Sequence, residues 1–222
     1  MYDIRNVSED VVYIGCSTRC LSLFESAYPI PNGISYNSYL INDEKTAVLD
    51  TVDKSCSAQY FQNLEAALDG RELDYLIVQH MEPDHCALIE DITTIYPNVK
   101  IVCSAKTVGL IKQFFNFDID SFAIVTKEGD TLNLGRHELS FVMAPMVHWP
   151  EVMVTYDKTT GALFSADAFG AFGAKIRRIS HSPDRCRCRC GANFRFLVRC
   201  ARRGHVPDVL RRAGCEDRTS RS

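Results

Sequence analysis

One stretch constrains this 222-residue chain more than any other: His80-Met81-Glu82-Pro83-Asp84-His85, directly after the run Asp74-Tyr75-Leu76-Ile77-Val78-Gln79. A short continuous apolar run of this kind fits a strand buried on both faces. The segment after it carries four side chains able to ligate a metal. On a helix they would scatter around the circumference. On a loop leaving a strand they converge, because His80, Glu82 and Asp84 alternate and so share one side, while Pro83 fixes the local turn. The pattern divides between two adjacent metals, with His85 joining the second. The competing reading is a solvated polar loop.

The residues around this motif alternate between helix and strand patterns. Val11–Cys16, Ser38–Asp43 and Lys45–Val52 are expected as early strands, and 57–70 as a helix with Phe61, Leu64 and Leu68 on one face and Gly70 as its C′ stop. A helix over Ala87–Ile95 ends before Pro97. A strand at 99–104 and a helix at 105–115 follow. Short strands are then expected at 122–126, 132–134, 138–144, 151–157 and 162–167, with turns such as Glu128-Gly129-Asp130 between them. Helices among the early strands and β-rich meanders afterwards give a layered α/β (α+β) sandwich. His148 and Asp167 fall at strand ends, as the first cluster does. Alone, His148 would read as a satisfied core histidine and Asp167 as a turn cap. Position joins them to the cluster, since loops at strand ends build sites in such sheets.

The stretches PNGISYNSYLINDEKTAVLDTV, QHMEPDH, MVHWPE and FSADAFGAFG resemble the metallo-β-lactamase-fold domain of the flavodiiron proteins, or A-type flavoproteins, over about residues 1–174. The implied fold is a metallo-β-lactamase-like αββα sandwich, incomplete at the C-terminus. Hydrolases of this fold have a His where this chain has Glu82. The extra carboxylate makes a harder, more anionic site that suits iron. By resemblance, His80, Glu82 and His148 bind one iron, Asp84 and His85 the other, and Asp167 bridges the two. Some family members leave the equivalent of His85 off the metal. Asp50 resembles a residue steadying the motif loop, or is a turn residue after a strand. Trp149, Phe169 and Phe172 either line a small apolar pocket or are plain core.

The resemblance implies a di-iron oxidoreductase that reduces O2 to water or NO to N2O. FMN is expected only in a flavodoxin-like domain outside this sequence or in a partner. The electron donor would be a flavodoxin, a rubredoxin or a flavin reductase, and the family pairs as head-to-tail homodimers. No nucleophile elbow or P-loop is present in the sequence. The alternatives are a metal-dependent hydrolase of the same fold and a non-enzymatic fragment. The start lacks an apolar leader and no run is long enough for a membrane span, so a cytoplasmic protein is expected. Cys16 and Cys20 are then expected as buried thiols.

The rest of the chain differs. Residues 1–174 hold 11 Lys and Arg against 24 Asp and Glu, whereas residues 175–222 hold 14 against 4 and contain five of the ten Cys. This Arg/Cys-rich tail reads as out-of-frame translation, or as disorder. Two other readings are a basic nucleic-acid-binding arm and a metal site at Cys186, Cys188 and Cys190 with Cys200 or Cys215. The spacing suits no zinc finger, and nucleic acid is not the expected partner. The family's seventh ligand, a His some sixty residues beyond the bridging Asp, would fall past the end. His181 and His205 stand too close to serve. A chain ending here is expected to leave one sheet edge unpaired, to hold at most one metal well and to lack turnover with a physiological donor.

Overall fold

The structure, a computed structural model, describes residues 4–168, Gly173 and the backbone of Leu197–Arg199. In chain order it contains β1 (Arg5–Asn6), β2 (Val11–Tyr13), β3 (Cys16–Thr18), β4 (Leu23–Phe24), β5 (Tyr28–Pro29), β6 (Ile34–Tyr36), β7 (Tyr39–Asn42) and β8 (Thr46–Leu49). A 3-10 turn at Lys54–Cys56 leads into α1 (Ser57–Leu68), followed by β9 (Tyr75–Val78), α2 (Pro83–Cys86), α3 (Ile89–Ile95), β10 (Lys100–Ser104) and α4 (Ala105–Phe114). The second half adds β11 (Ala123–Thr126), β12 (Thr131–Asn133), β13 (Glu138–Met143), β14 (Met153–Asp157), β15 (Ala162–Phe164) and β16 (Leu197–Arg199).

Two sheets organise these elements. The first has seven strands in the order β1-β2-β7-β8-β9-β10-β11, and the second has five in the order β12-β13-β14-β15-β16. Strands β8 to β11 run parallel, as their helical crossovers require. The central strands bury both faces. Leu40, Val48, Leu76, Val78, Ile101 and Cys103 pack under Tyr60, Leu64, Leu68, Ile89, Ile92 and Ile111 of the helices. The alternate residues Ile41, Leu49, Ile77 and Val102 pack against Leu139, Phe141, Met153 and Phe164 of the second sheet. This explains the unbroken apolar run at 75–78, which has no wet face to accommodate a polar residue. The layers are therefore helix, sheet, sheet, and the described residues place no helix on the outer face of the second sheet. No helix among them is long and apolar enough to cross a membrane.

Hydrogen bonds tie the sheets together at both ends. Near the motif, the Met153 amide donates to the Gln79 carbonyl at 3.0 Å. At the opposite end the buried His137 ring lies between Asp157 at 2.8 Å and Asp10 at 3.0 Å, and its amide donates to Asp43.

Several expectations shift in detail. The expected helix at 57–70 runs over Ser57–Leu68, with Gly70 beyond it at φ 81°. Its buried face is Tyr60, Leu64 and Leu68, with Phe61 partly covered. The strand expected over Val11–Cys16 breaks at Ile14-Gly15. A Cβ on Gly15 would stand 2.1 Å from the Tyr36 carbonyl oxygen and 2.7 Å from the Tyr13 hydroxyl, so only glycine lets β2 and β3 pass this point. The strand expected to end at Asp167 stops at Phe164. The edge expected to be bare is paired: β16 runs antiparallel to β15, with Leu163 opposite Val198. Cys16 is buried as expected, but Cys20 is exposed. Phe169, Phe172, His181, His205 and the tail cysteines lie outside the described residues.

Gly15→Ala is expected to lower stability by about 1–3 kcal/mol through overpacking against the Tyr36 carbonyl, measured by urea unfolding. An unchanged midpoint would contradict the close approach.

Candidate metal centre

The chain enters the site from β9. Gln79, His80 and Met81 leave the strand, and Glu82 is still extended. Pro83 then opens α2, where its fixed φ and missing N–H suit the first helical position. Asp84 and His85 therefore stand on one helical turn. The sequence expectation placed the whole motif on a loop, and the helix-starting role of Pro83 accounts for the difference. Thr51 clamps this turn, its amide and hydroxyl donating to the His85 carbonyl at 2.7 and 2.8 Å.

His148 arrives between β13 and β14, and Asp167 three residues after β15. Strained backbone accompanies both approaches. Met146 has φ 67° and Ala166 φ 46°, and Asp50, behind the motif, has φ 55°. Non-glycine residues in this region cost on the order of 1–3 kcal/mol each and gather at functional sites.

All six expected ligands meet, in two overlapping groups. His80 Nε2, His148 Nε2, Glu82 Oε2 and Asp167 Oδ2 form the first. His80 Nε2 lies 3.1 Å from both Glu82 Oε2 and His148 Nε2. His148 Nε2 is 2.9 Å from Glu82 Oε2 and 3.2 Å from Asp167 Oδ2. His80 Nε2 is 3.7 Å from the same Asp167 oxygen. Donor atoms bonded to one metal at about 2.0–2.2 Å lie about 3.0–3.5 Å from their neighbours, close to this set. The second group is His85 with Asp84 and Asp167. His85 Nε2 is 2.8 Å from Asp167 Oδ1 and 3.9 Å from Asp84 Oδ2. Each Asp167 oxygen thus faces a different group.

Outer carboxylates orient the imidazoles. Glu151, fully buried, accepts from His80 Nδ1 at 2.8 Å and from the Met81 amide at 3.0 Å. Once the ring gives up its second proton, as a metal ligand must, that bond leaves the Nε2 lone pair facing Glu82 and His148. Asp50 accepts from the Gln79 amide at 2.7 Å and faces His85 Nδ1 at 3.2 Å. Of the two readings of Asp50, this geometry supports the steadying one. Glu151 was missed by sequence reasoning, although its signal was a lone acid heading the apolar run Val152–Val154. Glu25 was missed too. It sits on the β4–β5 hairpin, where burial and the neighbouring Glu82 carboxylate raise its own carboxyl above the usual range. Trp149 packs edge-on against His80, with centroids 5.4 Å apart.

The electrostatics call for a cation. Burial pushes the Asp84 carboxyl up to about 7, and its Oδ1 is buried without a partner. His80 rises to about 9: burial pulls it down, but the Glu151 and Glu82 carboxylates outweigh that. Burial likewise opposes protonation of His85, but Asp84 and Asp167 hold it well above the usual imidazole range. Protons thus offset carboxylate charge here, the position a metal takes when it binds. Neutral imidazoles and carboxylates aimed at shared points fit two hard-to-borderline cations such as iron.

Comparison with known proteins agrees. The family described as ODP family beta lactamase matches residues 34–184, ten residues beyond the stretch that carried the sequence resemblance. The anaerobic nitric oxide reductase flavorubredoxin of Salmonella arizonae is 40% identical over 158 residues, covering 71% of this chain and 33% of that protein. A Synechocystis protein is 34% identical over 206 residues, covering 90% of this chain and 35% of its own length. This chain spans about a third of the length of these relatives. Among solved structures, the flavodiiron protein from Giardia intestinalis superposes with a TM-score of 0.75 at 27% identity, covering 80% of this chain and 43% of that one. The rubredoxin oxygen:oxidoreductase from Desulfovibrio gigas gives 0.73 at 28%, covering 79% and 44%. With most of its length matched, the chain belongs to the ODP family beta lactamase, the metallo-β-lactamase-fold domain of the flavodiiron proteins.

Proposed function

We propose that residues 1–174 act as the di-iron domain of an oxidoreductase that reduces O2 to water or NO to N2O, with 175–222 as a separate tail. His80, Glu82 and His148 would hold one iron, Asp84 and His85 the other, and Asp167 would bridge them. The observation that carries this reading is the Asp167 carboxylate, with one oxygen toward His148 and His80 and the other toward His85. A carboxylate placed so can span two metals about 3.5–4 Å apart. Bound there, iron would supply redox chemistry at open coordination positions.

The chain's own residues prepare that site. Glu151 and Asp50 fix the ring planes of His80 and His85, so the ligand lone pairs need little reorganisation. Glu82 replaces an imidazole with an anion, which favours the ferric state. His148 is about half exposed, leaving this side of the site open to a small substrate. Reducing one O2 to two waters takes four electrons, and reducing two NO to N2O takes two. We propose FMN in a flavodoxin-like domain or a partner as the immediate source, fed by a rubredoxin, a flavodoxin or a flavin reductase. A head-to-tail homodimer would bring such a flavin near the irons. The names of the Salmonella and Desulfovibrio relatives support both the substrates and the donor. A reducing cytoplasm is the proposed setting, consistent with five free cysteines among the described residues.

Anaerobic titration of the purified chain with ferrous iron tests the reading. One iron is expected to bind tightly at the four-ligand group and a second more weakly at the three-ligand group. Asp167→Ala is expected to abolish the second and weaken the first. Preferential zinc retention with hydrolysis of an ester or lactam would contradict it.

Glu151→Gln and Asp50→Asn each are expected to lower metal affinity about 10–100-fold with the fold retained, measured by competition with a chelator. Glu82→His is expected to shift the retained metal from iron toward zinc, read by elemental analysis. An unchanged iron-to-zinc ratio would remove the role assigned to Glu82.

A further inference from the structure

Behind the second group of ligands stand two buried hydroxyls. β8 ends at Leu49, and Asp50 follows in the left-handed region at φ 55°. Its amide still donates to the Ile77 carbonyl at 2.9 Å, one more rung beside the β8–β9 pairing. Its carbonyl accepts from the Ser38 hydroxyl at 2.8 Å. The Tyr60 hydroxyl stands 3.4 Å from both that carbonyl oxygen and the Ser38 hydroxyl. Ser38 comes from the junction of β6 and β7, Tyr60 from α1, and both are fully buried. Ser38 is itself fixed, because its carbonyl accepts from the Ile14 amide at 3.0 Å.

The turn at Asp50 decides where two consecutive residues reach. The Asp50 carboxylate accepts from the Gln79 amide at 2.7 Å and from the Gln79 side chain at 3.2 Å, and its Oδ2 faces His85 Nδ1 at 3.2 Å. Thr51, next in the chain, donates its amide and hydroxyl to the His85 carbonyl. His85 is thus gripped at ring and backbone by one short segment. The direction of that segment depends on a φ that an aspartate adopts at a cost. A buried carbonyl without a donor adds to the cost, and Ser38 and Tyr60 supply the donors. Packing needs neither hydroxyl, since alanine and phenylalanine have nearly the same shapes.

We propose that Ser38 and Tyr60 are positioning residues for His85: their hydroxyls hold Asp50 in its left-handed turn and so fix the His85 ring against Asp167. The importance of this for chemistry rests on the reading of His85 as a ligand of the second metal. The line of contact runs from the Ser38 hydroxyl through the Asp50 carbonyl and carboxylate to His85 Nδ1, and His85 Nε2 ends it 2.8 Å from Asp167 Oδ1. The first group lies off this line, since His80 takes its orientation from Glu151. Loss of the hydroxyls therefore acts on one of the two metals, a selectivity that general loosening of the core would not produce.

Two measurements on the full chain test this. In the metal-free chain, long-range proton–nitrogen NMR reads the His85 Nδ1 proton. That proton is expected to exchange with water about tenfold faster in Ser38→Ala than in the native chain, the scale of one lost buried hydrogen bond. Tyr60→Phe should move it the same way by less. In the loaded chain, chelator competition with cobalt(II) gives the two affinities, and the d–d spectrum reports coordination by His85. Ser38→Ala is expected to weaken the second metal about tenfold, alter its spectrum and leave the first unchanged. In an Asp50→Ala background the same substitution should cost less than it does in the native chain. Unchanged His85 exchange in both variants, equal weakening of both metals, or full additivity with Asp50→Ala would overturn the proposal. A native chain that takes up no second metal, while the His85 proton responds as expected, would contradict the di-iron reading and support the positioning of His85.

Discussion

The Asp167 carboxylate, shared between two sets of imidazoles, is the interaction on which the arrangement depends. It comes from the second sheet, while His80, Glu82, Asp84 and His85 come from the first. Two donor groups can face one carboxylate only if the sheets are held at fixed separation and register. The Met153–Gln79 hydrogen bond sets that register beside the site, and the His137 clasp sets it at the far end. The interdigitated layer of Ile41, Ile77, Phe141 and Phe164 sets the separation. Core packing and site geometry are here one problem, because close-packed interiors transmit small displacements rather than absorb them.

A second constraint is charge. Five carboxylates, at Asp50, Glu82, Asp84, Glu151 and Asp167, crowd three imidazoles, and Asp50, Glu82 and Glu151 among them are buried. Burying like charges is unfavourable unless protons or a cation offset them. The strained backbone at Asp50, Met146 and Ala166 shows a fold that keeps this cluster together at a local cost in stability. Both features fit a site optimised to hold metal rather than to stabilise the chain.

Much of this was legible in the sequence. The motif after a doubly buried strand marked side chains that the structure brings together, and the positions of His148 and Asp167 near strand ends joined them to it. Pattern could not convey what depends on tertiary approach. Glu151 is one acid among many until His80 and the Met81 amide are seen to donate to it. The break at Gly15 follows from the Tyr36 carbonyl, more than twenty residues away in sequence. Pro83 was read as a turn residue when it starts a helix. The pairing of β15 with β16 was hidden because the tail carries no strand periodicity.

Anomalous diffraction at the iron edge, from crystals of the full chain loaded anaerobically with ferrous iron, tests the central claim most directly. The account predicts two peaks about 3.5–4 Å apart, one among His80, Glu82 and His148, the other beside Asp84 and His85, with Asp167 between them. A single peak away from Asp167, or no iron within reach of these side chains, would contradict it.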